Sequence, residues 1–135
     1  KAYKAEKGAD MPAATIQKET GFQSKYEISH IITRSKMGET DIIGIYAFAF
    51  GDVGMSFVPF EQFDSNAIQT RDGVSDLYEV VFTAAYSNGS HSYIPSAYAA
   101  PHGGYEVYSS RYVDSTGDDI AFALRDALKA MQENS

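Results

Sequence analysis

Cysteine and tryptophan are absent from the 135 residues, and proline occurs only four times. Without cysteine the chain has no disulfide, no thiolate metal ligand and no cysteine nucleophile. The longest apolar stretch, 42–50, is too short to span a bilayer, so we expect no transmembrane segment. Basic residues are also scarce, since 11 of them stand against 18 acidic ones for a net charge of -7. The balance argues against a nucleic-acid or anionic-membrane surface, because no cations cluster outside the N-terminus.

Hydrophobic residues make up 44% of the chain and aromatic residues 13%, which predicts a folded domain with a buried core. The N-terminal sequence does not begin with Met and lacks the basic-then-apolar plan of a secretion signal. We therefore expect it to be an internal start, from a processed or truncated chain. Residues 1–21 are predicted as a polar N-terminal segment, and residues 22–135 as the main α/β portion.

Runs rich in β-branched and aromatic residues predict strands at 26–33, 42–50, 53–58, 77–86 and, shorter, 105–108. Gly51 and Asp52 fit a tight hairpin turn between the second and third strands. The fourth strand is almost continuously apolar, which predicts that both of its faces are covered.

Caps and helical spacing predict three helices. The first, 11–19, lies between Asp10 and Gly21, and the second begins near Pro59. The third begins at Thr116, and its apolar face is predicted to contain Ile120, Ala123, Leu124, Ala127, Leu128 and Met131. The order of elements predicts an α/β or α+β fold with a mixed β-sheet flanked by helices.

Glu61 is the first candidate for a functional role. It is predicted in the first turn of a helix that begins at a strand end, where open α/β sheets bind ligands. The alternative, which composition alone favours, is a plain stabilising charge at a helix N-terminus.

The segment 86–96 (YSNGSHSYIPS) is the second candidate, because it directly follows the predicted fourth strand. Asn88, His91 and Tyr93 would emerge at the same sheet edge as Glu61. If the segment is extended, His91 and Tyr93 point to one face. The alternative is a turn at Asn88 with Tyr93 as a packing residue.

The third candidate is the segment 101–108 (PHGGYEVY), in which paired glycines allow close backbone approach to a ligand or simply a turn. His102 and Glu106 lack metal-ligand spacing to another ligand. No HExxH, GxSxG, GxGxxG or P-loop pattern occurs in the chain.

Three of these segments, in order, resemble the neutral (alkaline, non-lysosomal) ceramidase family. Residues 51–63 (GDVGMSFVPFEQF) resemble its "GD, apolar strand, P-G-E" segment, 85–96 its "A-N, four residues, Y-[IV]-[PT]-T" segment, and 103–107 its "YE" segment. A C-terminal amphipathic helix follows in both. The likeness covers roughly 42–131 and is greatest to the ceramidase-like proteins of bacteria.

The resemblance implies a zinc-dependent amide hydrolase acting on an N-acyl bond such as that of ceramide, in sphingolipid metabolism, with a soluble, secreted or cell-surface location. In the family one Zn²⁺ is held by two histidines from earlier in the chain, a glutamate and a tyrosine. Glu61 matches the glutamate ligand and Tyr93 the tyrosine ligand. His91 becomes a candidate for supporting the metal ligands or contacting substrate. Substrate-binding candidates are Asn88, Tyr105 and Glu106.

The two histidine ligands have no counterpart here, because His30 is the only earlier histidine and its context differs. The resemblance therefore implies that the chain is the C-terminal part of a larger catalytic domain, of which it forms an incomplete half. An upstream segment of the same protein would be its partner and would supply the two histidines. We expect the isolated chain to be inactive and to self-associate through apolar surface left uncovered. Phe60 stands where the family has glycine, and Ser96 where threonine is usual, so a smaller or more polar N-acylated substrate is an alternative to ceramide. A second interpretation is a non-catalytic binding or assembly module that retains the fold.

Overall fold

A computed structural model gives the conformation of residues 1–22 and 24–133, which fall into two compact units, Lys1–Thr40 and Asp41–Ser135. The first unit holds three helices, α1 (Ala2–Lys7), α2 (Ala13–Thr20) and α3 (Lys25–Arg34). The helix predicted at 11–19 is confirmed as α2, which begins after its N-cap Pro12 and ends at Thr20, with Gly21 as C-cap. Gly21 has a φ of 77°, the left-handed conformation that commonly ends a helix.

The strand predicted at 26–33 is wrong, because this segment forms α3. The Ser24 hydroxyl accepts a hydrogen bond from the backbone N–H of Glu27 at 3.3 Å and caps the helix. Serine followed three residues later by glutamate is a helix-start signal, and it outweighs the strand propensity of the isoleucines. Ile28, Ile31 and Ile32 also have the spacing of one helix face.

The second unit contains five strands and three α-helices among its described residues. In chain order they are β1 (Tyr46–Phe50), β2 (Val53–Phe57), β3 (Glu61–Gln62), α4 (Asp64–Asp72), β4 (Val80–Ala84), β5 (Tyr93–Ile94), α5 (Tyr105–Ser109) and α6 (Thr116–Glu133). The predicted α/β class with a mixed sheet is confirmed. No helix among the residues with described positions is long and apolar enough to cross a membrane.

The main sheet has the strand order β1-β2-β4. β1 and β2 are antiparallel and pair Phe50 with Val53, so the predicted hairpin turn at Gly51 and Asp52 is confirmed. Gly51 adopts a φ of 56°, as a tight turn requires. β2 and β4 are parallel, with Val53 beside Val80. β3 and β5 form a separate two-stranded parallel sheet.

One face of the main sheet is open, which contradicts the prediction that β4 is covered on both sides. Phe82 and Val80 on β4 are exposed, as are Phe48 and Phe50 on β1. An apolar run alone does not distinguish a strand between two layers from one that leaves aromatic side chains at the surface.

The strand predicted at 105–108 is also wrong, because this segment is α5. Gly103 and Gly104 have φ values of 67° and 105°. These conformations turn the chain out of any extended path, and the Tyr108 N–H then donates to the Gly104 carbonyl as the first helical hydrogen bond.

The core lies between the covered face of the sheet and α6. One cluster of fully buried side chains consists of Val58, Phe60, Ile94 and Leu124, and a second of Val74, Tyr78 and Leu128. The predicted apolar face of α6 is confirmed at Leu124 and Leu128. It is wrong at Ala123, which is exposed, whereas Ala121 is buried.

Gly117 lets the first turn of α6 approach the residues after β5. A Cβ at this position would lie against the Pro95 carbonyl oxygen and 2.6 Å from the Asn66 side-chain nitrogen. Both neighbours are buried and fixed, since the Asn66 amide donates to the Ile94 carbonyl at 3.0 Å. The close approach of α6 therefore depends on a missing side chain at 117.

We expect Gly117→Ala to destabilise the protein by roughly 1–3 kcal/mol, the usual cost of forcing extra atoms into a packed core. Chemical denaturation measures the free energy of unfolding. Gly38→Ala is the control, because the nearest atom to its added Cβ is the Thr40 oxygen at 3.7 Å, an ordinary contact. Equal stability of the Gly117→Ala variant and the parent would contradict the prediction.

Candidate functional site

The small sheet of β3 and β5 places Glu61 beside Tyr93. The two residues are register partners in the parallel pair. The Glu61 N–H donates to the Ser92 carbonyl at 3.0 Å, and the Phe63 N–H donates to the Ile94 carbonyl at 3.2 Å. Adjacent residues on neighbouring strands direct their side chains to the same face, so carboxylate and phenol meet.

Glu61 lies in β3 and not in a helix, which corrects the predicted helix start near Pro59. α4 begins at Asp64, after Phe63 as N-cap. Pairing of residues 61–63 with β5 uses their backbone N–H groups in a sheet, so the helix starts only where this pairing ends. A helix N-terminus therefore does not explain the position of Glu61.

Tyr86, two residues after the end of β4, also contacts Glu61. Its N–H donates to the Phe60 carbonyl at 3.0 Å, so the chain after β4 runs alongside the chain before β3. Its backbone has a φ of 52°, unusual for a non-glycine residue. Its hydroxyl donates a short hydrogen bond to Glu61 Oε2.

Tyr93 and Tyr105 complete the group. Glu61 also interacts with the Tyr93 hydroxyl and raises its pKa. The Tyr93 and Tyr105 rings pack edge to face, with centroids 5.7 Å apart and planes at 77°. We call Glu61, Tyr86, Tyr93 and Tyr105 the Glu61 cluster. It consists of one carboxylate surrounded by phenols, with half-buried Glu61 and Tyr93 at its centre.

The carboxylate controls the acidity of the phenols. The hydrogen bond to Glu61, followed by burial and by the charge of Glu61, raises the pKa of Tyr86 to about 12. Glu61 is also the main cause of the raised pKa of Tyr93, and the charge of Glu106 contributes to that rise. Phenols are protonated at neutral pH at their ordinary pKa, and the raised pKa keeps Tyr86 a donor to Glu61 at still higher pH.

His91 lies in different surroundings, although it is two residues from Tyr93. Ser92 has a φ of 71°, which breaks the extended alternation that would direct both side chains to one face. His91 Nδ1 lies 3.2 Å from the Tyr112 hydroxyl and 3.4 Å from Asp41 Oδ2, and its ring packs near Phe60. These contacts involve no member of the Glu61 cluster.

The remaining candidate residues are Glu106, Asn88 and His102. Glu106 is close enough for its charge to act on Tyr93. Asn88 is exposed at a φ of 60°, which agrees with the turn interpretation. His102 is exposed and pairs its Nδ1 with the Tyr98 carbonyl at 2.9 Å.

All four side chains of the cluster carry oxygen atoms, one as a carboxylate and three as phenols. Among residues 1–22 and 24–133 there is no group of three or more His, Cys, Asp or Glu side chains that could hold a metal. Structural zinc sites use four protein ligands and catalytic ones three plus water. The described residues thus contain no complete zinc site of either kind.

The comparisons with known proteins bring no relative to this chain. No family model, curated protein or solved structure matches it.

Tyr86, Tyr112 and Asp41 were not singled out by the sequence, yet each contacts a candidate residue. The Tyr112 hydroxyl donates to Asp41 Oδ2 at 2.8 Å, and this hydrogen bond is the main reason why the pKa of Asp41 is lowered. Tyr86 could have been found from its place directly after the fourth strand. Asp41 and Tyr112 lie 71 positions apart, and no sequence signal joins them.

We expect Glu61→Gln to lower the pKa of Tyr86 from about 12 toward its ordinary value of 10.0, because the negative acceptor is replaced by a neutral one. NMR titration with ring-labelled tyrosine measures it, and Tyr86→Phe identifies the resonance. A raised tyrosine pKa stabilises the fold at pH values below the unfolded pKa. That contribution is lost as the pH rises through about 12.

Glu106→Gln is the matched control, since Glu106 is not among the causes of the Tyr86 shift. It should leave the Tyr86 titration in place. An unchanged Tyr86 pKa in Glu61→Gln would show that the hydrogen bond to the carboxylate is not its cause.

Proposed function

We propose that this chain contributes Glu61 and Tyr93 to the zinc site of an amide hydrolase of the neutral ceramidase type. The observation that carries the proposal is the meeting of these two side chains as register partners on β3 and β5. They are 32 residues apart in sequence, and they are the two positions that the family resemblance matches to metal ligands.

The chemistry of the two donors supports zinc. A carboxylate oxygen is an ordinary zinc ligand, and a phenol can serve once a cation displaces its proton. Glu61 lies close enough to Tyr93 to raise the pKa of its hydroxyl, so a cation bound by the carboxylate would also be within reach of the phenol oxygen and would displace its proton. Bound zinc supplies a Lewis acid and an activated water for cleavage of an N-acyl bond.

The other members of the cluster take supporting roles in the proposal. Tyr86 holds Glu61 by its hydrogen bond and fixes the carboxylate in place. Tyr105 and Glu106, beside Tyr93, are the side chains proposed to contact an N-acylated substrate, either a lipid such as ceramide or a smaller amide. Asn88 remains a weaker substrate-binding proposal, and His91 would act on the site only through a movement of its segment.

The proposal places two histidine ligands outside these 135 residues, on a polypeptide segment encoded upstream. Neither His91 nor His102 contacts the Glu61 cluster, and His30 belongs to the first unit. The isolated chain is then expected to bind zinc weakly and to hydrolyse nothing, because two ligands rarely hold zinc against water.

The second candidate function is a non-catalytic binding or assembly module. The exposed aromatic face of the main sheet favours it, since large exposed apolar patches mark interaction surfaces. In that case the Glu61 cluster is a hydrogen-bonded network that fastens β3 to β5 and to the end of β4. Substitutions in the cluster would then lower the stability of the fold and leave the metal content unchanged.

The test joins the chain to the sequence encoded immediately upstream and measures metal content and amide hydrolysis. We expect one zinc per molecule in the parent. Glu61→Gln and Tyr93→Phe should each lower zinc affinity by more than the roughly 10–100-fold typical of groups that only support ligands.

Tyr98→Phe and Glu106→Gln are the controls, one an exposed tyrosine outside the cluster and one a carboxylate beside it. Both should retain zinc. A joined protein without zinc, or one that keeps its zinc in both ligand variants, contradicts the hydrolase proposal and favours the binding module.

A further inference from the structure

The open face of the main sheet carries nine side chains in a regular grid. In the register of the sheet, three rows of three residues run across β1, β2 and β4. The rows are Tyr46, Phe57 and Ala84; Phe48, Met55 and Phe82; and Phe50, Val53 and Val80. Every member is apolar or aromatic, whereas the opposite face packs on α6 through smaller residues such as Ala47 and Ser56.

The grid is exposed to solvent to an unusual degree. Phe50 is 83% exposed, Phe82 59% and Phe48 54%. The strands that present the grid contain no charged residue at any of their positions. Charged side chains are the usual protection of an exposed sheet against association, and here the sheet itself has none.

We propose that this face is a homodimer interface, in which two copies of the chain pack their main sheets face to face. A partner for it must present an uncharged apolar surface of similar width, and the same face of a second copy is such a surface. Twisted sheets pack in this way about 10 Å apart, with strands crossing at about 30°. A two-fold axis through the central row would place Met55 against its own copy.

The size of the face sets the strength of the dimer. With aromatic side chains of about 150–250 Å² each, the grid exposes roughly 600 Å² per copy. A dimer would then bury about 1,200 Å², at the lower end of the range for specific interfaces. Association is therefore expected at high concentration, in the range of about 10 µM to about 1 mM.

The net charge predicts how the stability of the dimer depends on salt. Each copy has a net charge of -7, so two copies repel each other while their apolar faces attract. Salt screens the repulsion, with a Debye length of about 10 Å at 0.1 M, and leaves the apolar contact intact. The dimer should therefore become tighter as the salt concentration rises.

Analytical ultracentrifugation over this concentration range tests the proposal. We expect a monomer–dimer equilibrium that Phe82→Lys weakens at least about tenfold, because a charge enters the central row. Phe48→Lys, on the other side of Met55, should act alike. Both residues are largely exposed, so the fold is expected to survive, and circular dichroism checks this.

Phe122→Lys is the matched control, an exposed phenylalanine on α6 and not on the grid. It should leave the equilibrium unchanged. Methyl NMR gives an independent readout, since of the four methionines only Met55 should shift with protein concentration.

Three outcomes would overturn the proposal. The first is a monomer at all concentrations, as when a different partner or segment covers the face. The second is a dimer that persists in Phe82→Lys, which would indicate pairing through the free edge of β1, on the far side of the sheet from β4. The third is a dimer that dissociates as salt rises, which would indicate attraction between charges.

Discussion

The short parallel pairing of β3 with β5 is the constraint on which the candidate site depends. Only two residues on each strand take part, joined to the main sheet by the hydrogen bond from the Tyr86 N–H to the Phe60 carbonyl. Such a small sheet is not stable alone, so its position is held by the side chains beneath it. Phe60 and Ile94 are fully buried against Leu124 of α6. Glu61 follows Phe60 and Tyr93 precedes Ile94, and both of these side chains are half-buried at the surface.

This alternation between buried and surface residues explains why a carboxylate and several phenols come together. Packing of apolar neighbours fixes the backbone, and the polar side chains then have little freedom to separate. An acidic group among hydroxyl donors is well solvated by them, and its presence raises the pKa of Tyr86 and of Tyr93. The arrangement holds one negative charge at a fixed place with oxygen donors around it, which is a starting point for binding a cation and not yet a complete site.

The sequence allowed the class of fold and the central pair to be predicted, but not their surroundings. The hairpin at Gly51 and the final helix have strong local signals, and the structure confirms both. Strand propensity predicts the segment around Ile28 wrongly, because the Ser24 cap starts a helix there. The sequence resemblance drew attention to Glu61 and Tyr93, yet the separation of His91 from Tyr93 follows from the positive φ of Ser92, which residue types alone do not reveal.

The two faces of the main sheet explain why one half of this unit is well packed while the other is open. Small residues at Ala47, Gly54 and Ser56 let α6 lie close to one face, and Gly54 has Tyr78 and Leu128 as its nearest neighbours. The large side chains all point the other way, so the sheet places most of its apolar area where the described residues provide no second layer. A sheet that keeps aromatic residues on its exposed face loses hydrophobic stabilisation unless another layer covers them. The open face therefore leaves hydrophobic stabilisation to be gained from a further apolar layer, as in the proposed dimer.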